Sequence, residues 1–150
     1  MAAKLTANPD TANYGIYVQR YDASGDKVGT AVLVNTTTNG SQYYPSVAGL
    51  NDGSYVVVWQ SSTGPDGSDW GIYSQRFTAN GVKTGGEVLV NTITANGQFE
   101  ASVTALANGG YVIVWLDKVI WTWTGPHCVW ATPPATVVDG ACSGVAVDPP

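Results

Sequence analysis

Charge is scarce in this chain. Only 11% of its 150 residues are charged, and eleven acidic against six basic side chains give a formal net charge of −5. A nucleic-acid groove and a patch for an anionic membrane both need clustered Lys and Arg, so neither partner is expected. No apolar run approaches the ~20 residues a membrane-crossing helix needs. The longest are Tyr55-Val-Val-Val-Trp59 and Tyr111-Val-Ile-Val-Trp-Leu116. Residues 1–10 carry a Lys but no apolar stretch behind it, so no conventional secretory signal is expected there. Nowhere do apolar residues recur at 3.6 spacing over a sustained stretch, so little helix is expected.

Reactive side chains are few as well. There is one His, His127, and the only Glu residues are Glu87 and Glu100. A nucleophile elbow of the Gly-x-Ser-x-Gly type, a His-Glu-x-x-His zinc motif and a phosphate loop are all missing. His127 and Cys128 are adjacent, and neighbours on a strand point to opposite faces, so adjacency does not make them a catalytic pair. Cys128 and Cys142 are the two cysteines. They read equally as free thiols or as a disulfide closing a loop of ~15 residues, worth up to about 3 kcal/mol, and they leave the cellular compartment open.

What the chain does have is a repeat. Gly15-Ile-Tyr-Val-Gln-Arg20 returns as Gly71-Ile-Tyr-Ser-Gln-Arg76, and Val32-Leu-Val-Asn-Thr36 returns as Val88-Leu-Val-Asn-Thr92. Residues 55–59 return at 111–115, and Pro9-Asp10 and Tyr14 precede Pro65-Asp66 and Trp70 by the same shift of 56. About 24 of the 45 positions in 15–59 are identical in 71–115 without a gap, which is duplication.

Each copy reads as four short strands. In the first, residues 14–21 place Ile16, Val18 and the stem of Arg20 on one face and Tyr17, Gln19 and Tyr21 on the other. A turn around Gly25 leads to a second run at 28–35, and a polar loop leads to a third at 43–50. Pro45 marks that third strand as an edge or a strand start. Asn51-Asp52-Gly53 is a hairpin signal before the fourth strand at 54–60, which is apolar throughout its centre and so expected to be covered on both faces. Trp59 and Trp115 end such strands and belong in the core. Arg20 and Arg76 recur after Gln, and are expected to bridge neighbouring units through a carboxylate or a carbonyl.

The expected fold class is all-β, made of antiparallel four-stranded units like β-propeller blades. A β-sandwich or a linear solenoid of the same hairpins are the alternatives. Two blades do not close a ring, so either the chain is a fragment of a longer array or, as expected here, several copies close the ring as a homo-oligomer. Residues 1–62 form the first repeat with its linker, 63–116 the second, and 117–150 a divergent segment with three of six Trp, five of eight Pro and both Cys. That segment is either a specialised closing piece or the result of truncation or a frame change.

The consensus Gly-Ile-Tyr-x-Gln-Arg-(Tyr/Phe)-x-Ala-x-Gly, followed by Val-Leu-Val-Asn-Thr and Gly-x-Tyr-Val-x-Val-Trp, resembles repeats of large bacterial secreted proteins of the RTX/hemolysin-type adhesin group. The resemblance covers residues 9–116. It implies an extracellular or cell-surface location, export by a C-terminal signal and a place in a tandem array. The Gly-Gly-x-Gly-x-Asp calcium nonapeptide of that group is absent from this chain.

Three sets of residues are candidates for function. The loop Thr63-Gly-Pro-Asp66-Gly-Ser-Asp69-Trp70 offers two carboxylates that, with Asp10, suit a hard cation such as Ca²⁺; the alternative is a solvated turn. Tyr14, Trp70, Trp121 and Trp123, with Tyr43, Tyr44 and Trp130, offer aromatic faces for sugar rings, or equally for core and interface packing. For a hydrolase of glycosides or esters, the available groups are Asp66, Asp69, Glu100 and His127. The expected function is an extracellular binding or adhesion module with carbohydrate as ligand and calcium as an aid. Its alternative is a hydrolase with a site on the assembled oligomer or in the C-terminal segment.

Overall fold

The structure, a computed structural model, describes residues 14–62, 70–94 and 96–118, together with the strand backbones at 121–123 and 128–130. The chain divides into two compact units, residues 1–117 and 118–150. Eight strands lie in the first: β1 (Tyr17–Tyr21), β2 (Lys27–Leu33), β3 (Gln42–Gly49), β4 (Tyr55–Ser61), β5 (Gly71–Phe77), β6 (Lys83–Leu89), β7 (Gln98–Ala105) and β8 (Tyr111–Asp117). In the second unit β9 (Trp121–Trp123) pairs antiparallel with β10 (Cys128–Trp130). The fold is all-β, with no helix among the described residues.

Each repeat does supply four strands, but the sheets do not follow the repeats. One four-stranded antiparallel sheet runs β3-β4-β5-β6, while β1-β2 and β7-β8 form two-stranded sheets. Sheet and repeat are therefore offset by half a unit. The joint is the pairing of β4 with β5, unbroken from Tyr55 opposite Phe77 to Ser61 opposite Gly71. Pro45 lies in β3, an edge strand of that sheet, where its missing N–H costs no interior ladder bond.

Two hydrophobic cores follow from strand alternation. On one face of the central sheet Val57, Trp59, Tyr73 and Phe77 pack with Ile16 and Val34 of the first repeat. On the other face Val56, Val58 and Ile72 pack with Ala101 and Val103, and Ile113 and Trp115 of β8 lean against them. β4 is thus covered on both sides, which is why it is apolar at consecutive positions rather than alternate ones. Trp59 is fully buried and Trp115 half-buried. Across the joint, Tyr55 stacks on Phe77 at 4.9 Å and Trp59 on Tyr73 at 6.2 Å between ring centres.

Within each repeat a buried amide ties three pieces of backbone together. Asn35 Oδ1 accepts the Ile16 N–H at 2.9 Å, and its Nδ2 donates to the Thr37 carbonyl and to Gln42 Oε1. Asn91 does the same one repeat later, with Ile72, Ile93 and Gln98. The Asn of Val-Leu-Val-Asn-Thr thereby links the first strand, the loop after the second, and the start of the third. Gln75 of the other motif donates to the carbonyls of Arg76, Thr84 and Gly85, clasping the register shift between β5 and β6, and Gln19 repeats this on β1 and β2.

Side chains also join one repeat to the next. Arg20 donates to the Ala79 carbonyl, as expected for a bridge between units. Asn51 donates to the Ala107 carbonyl at 3.1 Å, and Glu87 accepts the Thr36 N–H at 2.6 Å. The Asn51-Asp52-Gly53 turn forms as expected, with Gly53 at φ 79° and its N–H on the Leu50 carbonyl.

Two predictions follow from these contacts. Asn35→Ala or Asn91→Ala removes the acceptor of a buried N–H and the donor to a buried glutamine Oε1, at about 1–3 kcal/mol for each group left without its bond. Urea unfolding is expected to show a loss of that size for both variants, and no measurable loss for Val82→Ala at an exposed position in the turn before β6. The second concerns Asp52, whose carboxyl is held below its ordinary value of 3.8 by the Ser54 hydroxyl first and the Ser54 N–H second. A lowered folded value means that this stabilisation is present above the unfolded carboxylate range and is lost as pH falls through the lowered value. Hydrogen exchange at the turn is expected to quicken in that acid window, and Asp52→Asn to remove the pH dependence.

Candidate functional site

The half-unit offset lines up aromatic side chains from both repeats. The Tyr14 carbonyl accepts the Gln42 N–H at 3.1 Å, and the Trp70 carbonyl accepts the Gln98 N–H at 3.0 Å. Each bond fixes an aromatic residue beside the first residue of a strand, where Tyr43 and Phe99 follow. A continuous row results. Ring centres are 4.9 Å apart from Tyr14 to Tyr43, 5.7 Å from Tyr43 to Trp70 and 5.9 Å from Trp70 to Phe99. Tyr44 joins it from the side, 6.1 Å from Tyr43.

Both repeats carry a bulge at this point. The register of β3 on β4 shifts between Tyr43 and Ser46, and that of β7 on β8 between Phe99 and Ser102. Inside each bulge one residue takes a left-handed backbone, Tyr44 at φ 52° and Glu100 at φ 56°. Such conformations cost on the order of 1–3 kcal/mol for side chains other than glycine. Bulges of this kind re-aim side chains near functional sites. Buried Gln60 holds the second bulge, accepting the Glu100 N–H on its Oε1 at 3.0 Å.

Tyr43, Tyr44, Gln60, Trp70, Phe99 and Glu100 line an open cleft of about 370 Å³. Its walls are aromatic, its polar groups are one carboxylate, one amide, the tyrosine hydroxyls and one indole N–H, and no cation lines it among the described residues. Gly97 keeps the wall in place. A Cβ there would stand 2.5 Å from the Phe99 ring and 3.4 Å from the Trp70 Cβ.

Of the residues singled out in the sequence, the structure brings Tyr14 and Trp70 into one row with Tyr43 between them and places Glu100 at the cleft. Of Trp121 and Trp123 only the backbone, in β9, is described. Asp10, Asp66, Asp69, His127 and Cys142 lie outside the described residues, so the calcium loop, the other hydrolase candidates and the cysteine pairing rest on the sequence alone. Among the described residues no three His, Cys, Asp or Glu side chains gather in a way that would hold a metal ion. Phe99 and Gln60 were not legible as site residues. The repeat carried a signal for the first, since Phe99 is the counterpart of Tyr43. It carried none for Gln60, whose partner is 40 residues away.

The chain matches no known family model, no curated protein and no solved structure. The geometry of the cleft therefore carries the functional argument.

Gly97→Ala tests that geometry. The added methyl group overpacks the Phe99 ring, an effect of about 1–3 kcal/mol. The variant is expected to unfold at lower urea and to lose near-ultraviolet circular dichroism from the aromatic row. Gly86→Ala, with open space around its Cβ, is expected to leave that signal unchanged.

Proposed function

We propose that this chain is a carbohydrate-binding module of an extracellular bacterial protein, and that it holds a neutral sugar in the cleft between its two repeats. The observation that carries the reading is the aromatic row of Tyr43, Trp70 and Phe99 beside Gln60 and Glu100. Sugar rings present apolar C–H faces that pack on aromatic rings, and hydroxyl edges that exchange hydrogen bonds with amides and carboxylates. A few polar groups on a largely aromatic wall supply both. The absence of Lys and Arg from the described walls favours a neutral ligand over a phosphorylated or sulfated one.

Binding fits the cleft better than glycoside hydrolysis. That reaction ordinarily uses a pair of carboxyl groups, roughly 5–9.5 Å apart, and Glu100 is the only carboxyl group among the described lining residues. The location outside the cell and the place in an adhesin-like array belong to the same proposal and rest on the resemblance of the repeats.

A glycan array, followed by titration calorimetry on the best ligand, tests the reading. Trp70→Ala and Tyr44→Ala are each expected to weaken binding tenfold or more, equivalent to about 1.4 kcal/mol. Glu100→Gln, which keeps a hydrogen-bonding oxygen, is expected to cost less. Repeating the titration with calcium and with EDTA measures any part the ion plays. Silence on the array sinks the proposal, and turnover of a glycoside or ester that Glu100→Gln abolishes replaces it with the hydrolase reading.

A further inference from the structure

β4 has a strand on each side, β3 and β5. Its counterpart 56 residues on, β8, pairs with β7 and with no other strand among the described residues. β1, the counterpart of β5, pairs with β2. The exposures follow the missing pairing. Val56 and Val58 of β4 are fully buried, whereas Val112 and Val114 of β8 are 41% and 59% exposed. Phe77 of β5 is fully buried, whereas Tyr21 of β1 is 58% exposed. Two strands, each the sequence counterpart of a strand paired on both sides at the centre, thus have no second strand beside them among the described residues.

We infer that β8 of one copy of this chain pairs antiparallel with β1 of a second copy, in the register that β4 uses for β5. Adding the repeat shift to the observed register places Tyr111 opposite Tyr21, Val112 opposite Arg20, Val114 opposite Val18 and Trp115 opposite Tyr17. The two aromatic stacks across the central joint, Tyr55 on Phe77 and Trp59 on Tyr73, then recur as Tyr111 on Tyr21 and Trp115 on Tyr17. Both faces of the joined sheet close in the same step. Tyr21 extends the face that β8 already packs against the central sheet of its own chain, and Val112 and Val114 meet the central sheet of the second copy.

The edge that β8 needs is a Gly-Ile-Tyr-x-Gln-Arg strand, and β1 carries one. The chain's own continuation reads His127-Cys-Val-Trp-Ala-Thr132 at the equivalent positions. Such a contact is head-to-tail, so it closes into a ring or grows as a fibre. With two blade-like sheets per copy and four to eight blades in known closed rings, about two to four copies complete one. If the cleft is the sugar site proposed above, each new joint adds a related one, bringing Phe99, Glu100 and Leu116 of one copy against Tyr14, Tyr43 and Tyr44 of the next.

Light scattering on the full chain, with paired cysteine variants, tests the inference. Wild type is expected at a single mass of two to four chains. In a Cys128→Ser/Cys142→Ser background, a mixture of the Val18→Cys and Val114→Cys variants is expected to cross-link on mild oxidation, while neither variant alone does. Val112→Lys/Val114→Lys changes only exposed positions and is expected to run as a monomer with an unchanged circular dichroism spectrum. A monomeric wild type overturns the inference, and so does an oligomer whose cysteine mixture does not cross-link or whose lysine variant keeps its mass. Sugar binding by the monomeric lysine variant reports on the intramolecular cleft alone, so failure of assembly and failure of the cleft are seen separately.

Discussion

The pairing of β4 with β5 is the constraint on which the rest of the molecule hangs. It is an uninterrupted antiparallel ladder between two halves of a duplicated sequence, and it joins the last two strands of one repeat and the first two of the next in one sheet. Because side chains alternate along it, the ladder presents one apolar face to the first repeat and another to the second. The stacked pairs Tyr55–Phe77 and Trp59–Tyr73 add about 0.5–1.5 kcal/mol each beyond the area they bury. The cleft depends on the same ladder. Trp70 immediately precedes β5 and Gln60 lies within β4, so the joint that builds the core also brings Trp70 beside Tyr43 and Gln60 beside Glu100.

Each repeat is made rigid internally by polar contacts. Asn35 and Asn91 bury their amides and saturate them with backbone groups and a glutamine. A buried amide without partners would weaken the fold, and one with every partner in place fixes a single arrangement of loop and strand. Charge contributes little. Asp22 and Asp52 organise turns by accepting backbone N–H groups, and Glu87 accepts two from the neighbouring repeat. A chain with few ionic side chains has thus placed several of them at turns and between repeats.

Much of this was legible in the sequence. The duplication, the four strands per copy, the alternation of Ile16 and Val18 against Tyr17 and Tyr21, the turn at Gly53 and the burial of Trp59 all rest on local pattern, and the fold follows that pattern. The division into sheets was not legible. Alternation says which face a residue occupies and nothing about which strand lies alongside, so the four strands of a repeat read as one sheet when they belong to two. The site was half legible. Tyr14 and Trp70 declared themselves as aromatic counterparts in the two copies. The left-handed bulges did not, because Tyr44 and Glu100 are neither Gly nor Asn, the residues that ordinarily announce such backbone. Gln60 gave no sign either, since what it does depends on a backbone amide in the other repeat.

The offset between repeat and sheet has a consequence for copy number. Any stretch holding a whole number of these units starts with a β1-type strand and finishes with a β8-type strand, whatever its length. Recombination that inserts or removes one unit therefore recreates the same joint on both sides of the change, with no new pairing surface to evolve. Units that each closed their own sheet would lack this coupling, because neighbours would share no ladder. Here one unit is welded to the next by the very strands that define it, so a run of such units could lengthen or shorten by whole units while its internal joints stay interchangeable.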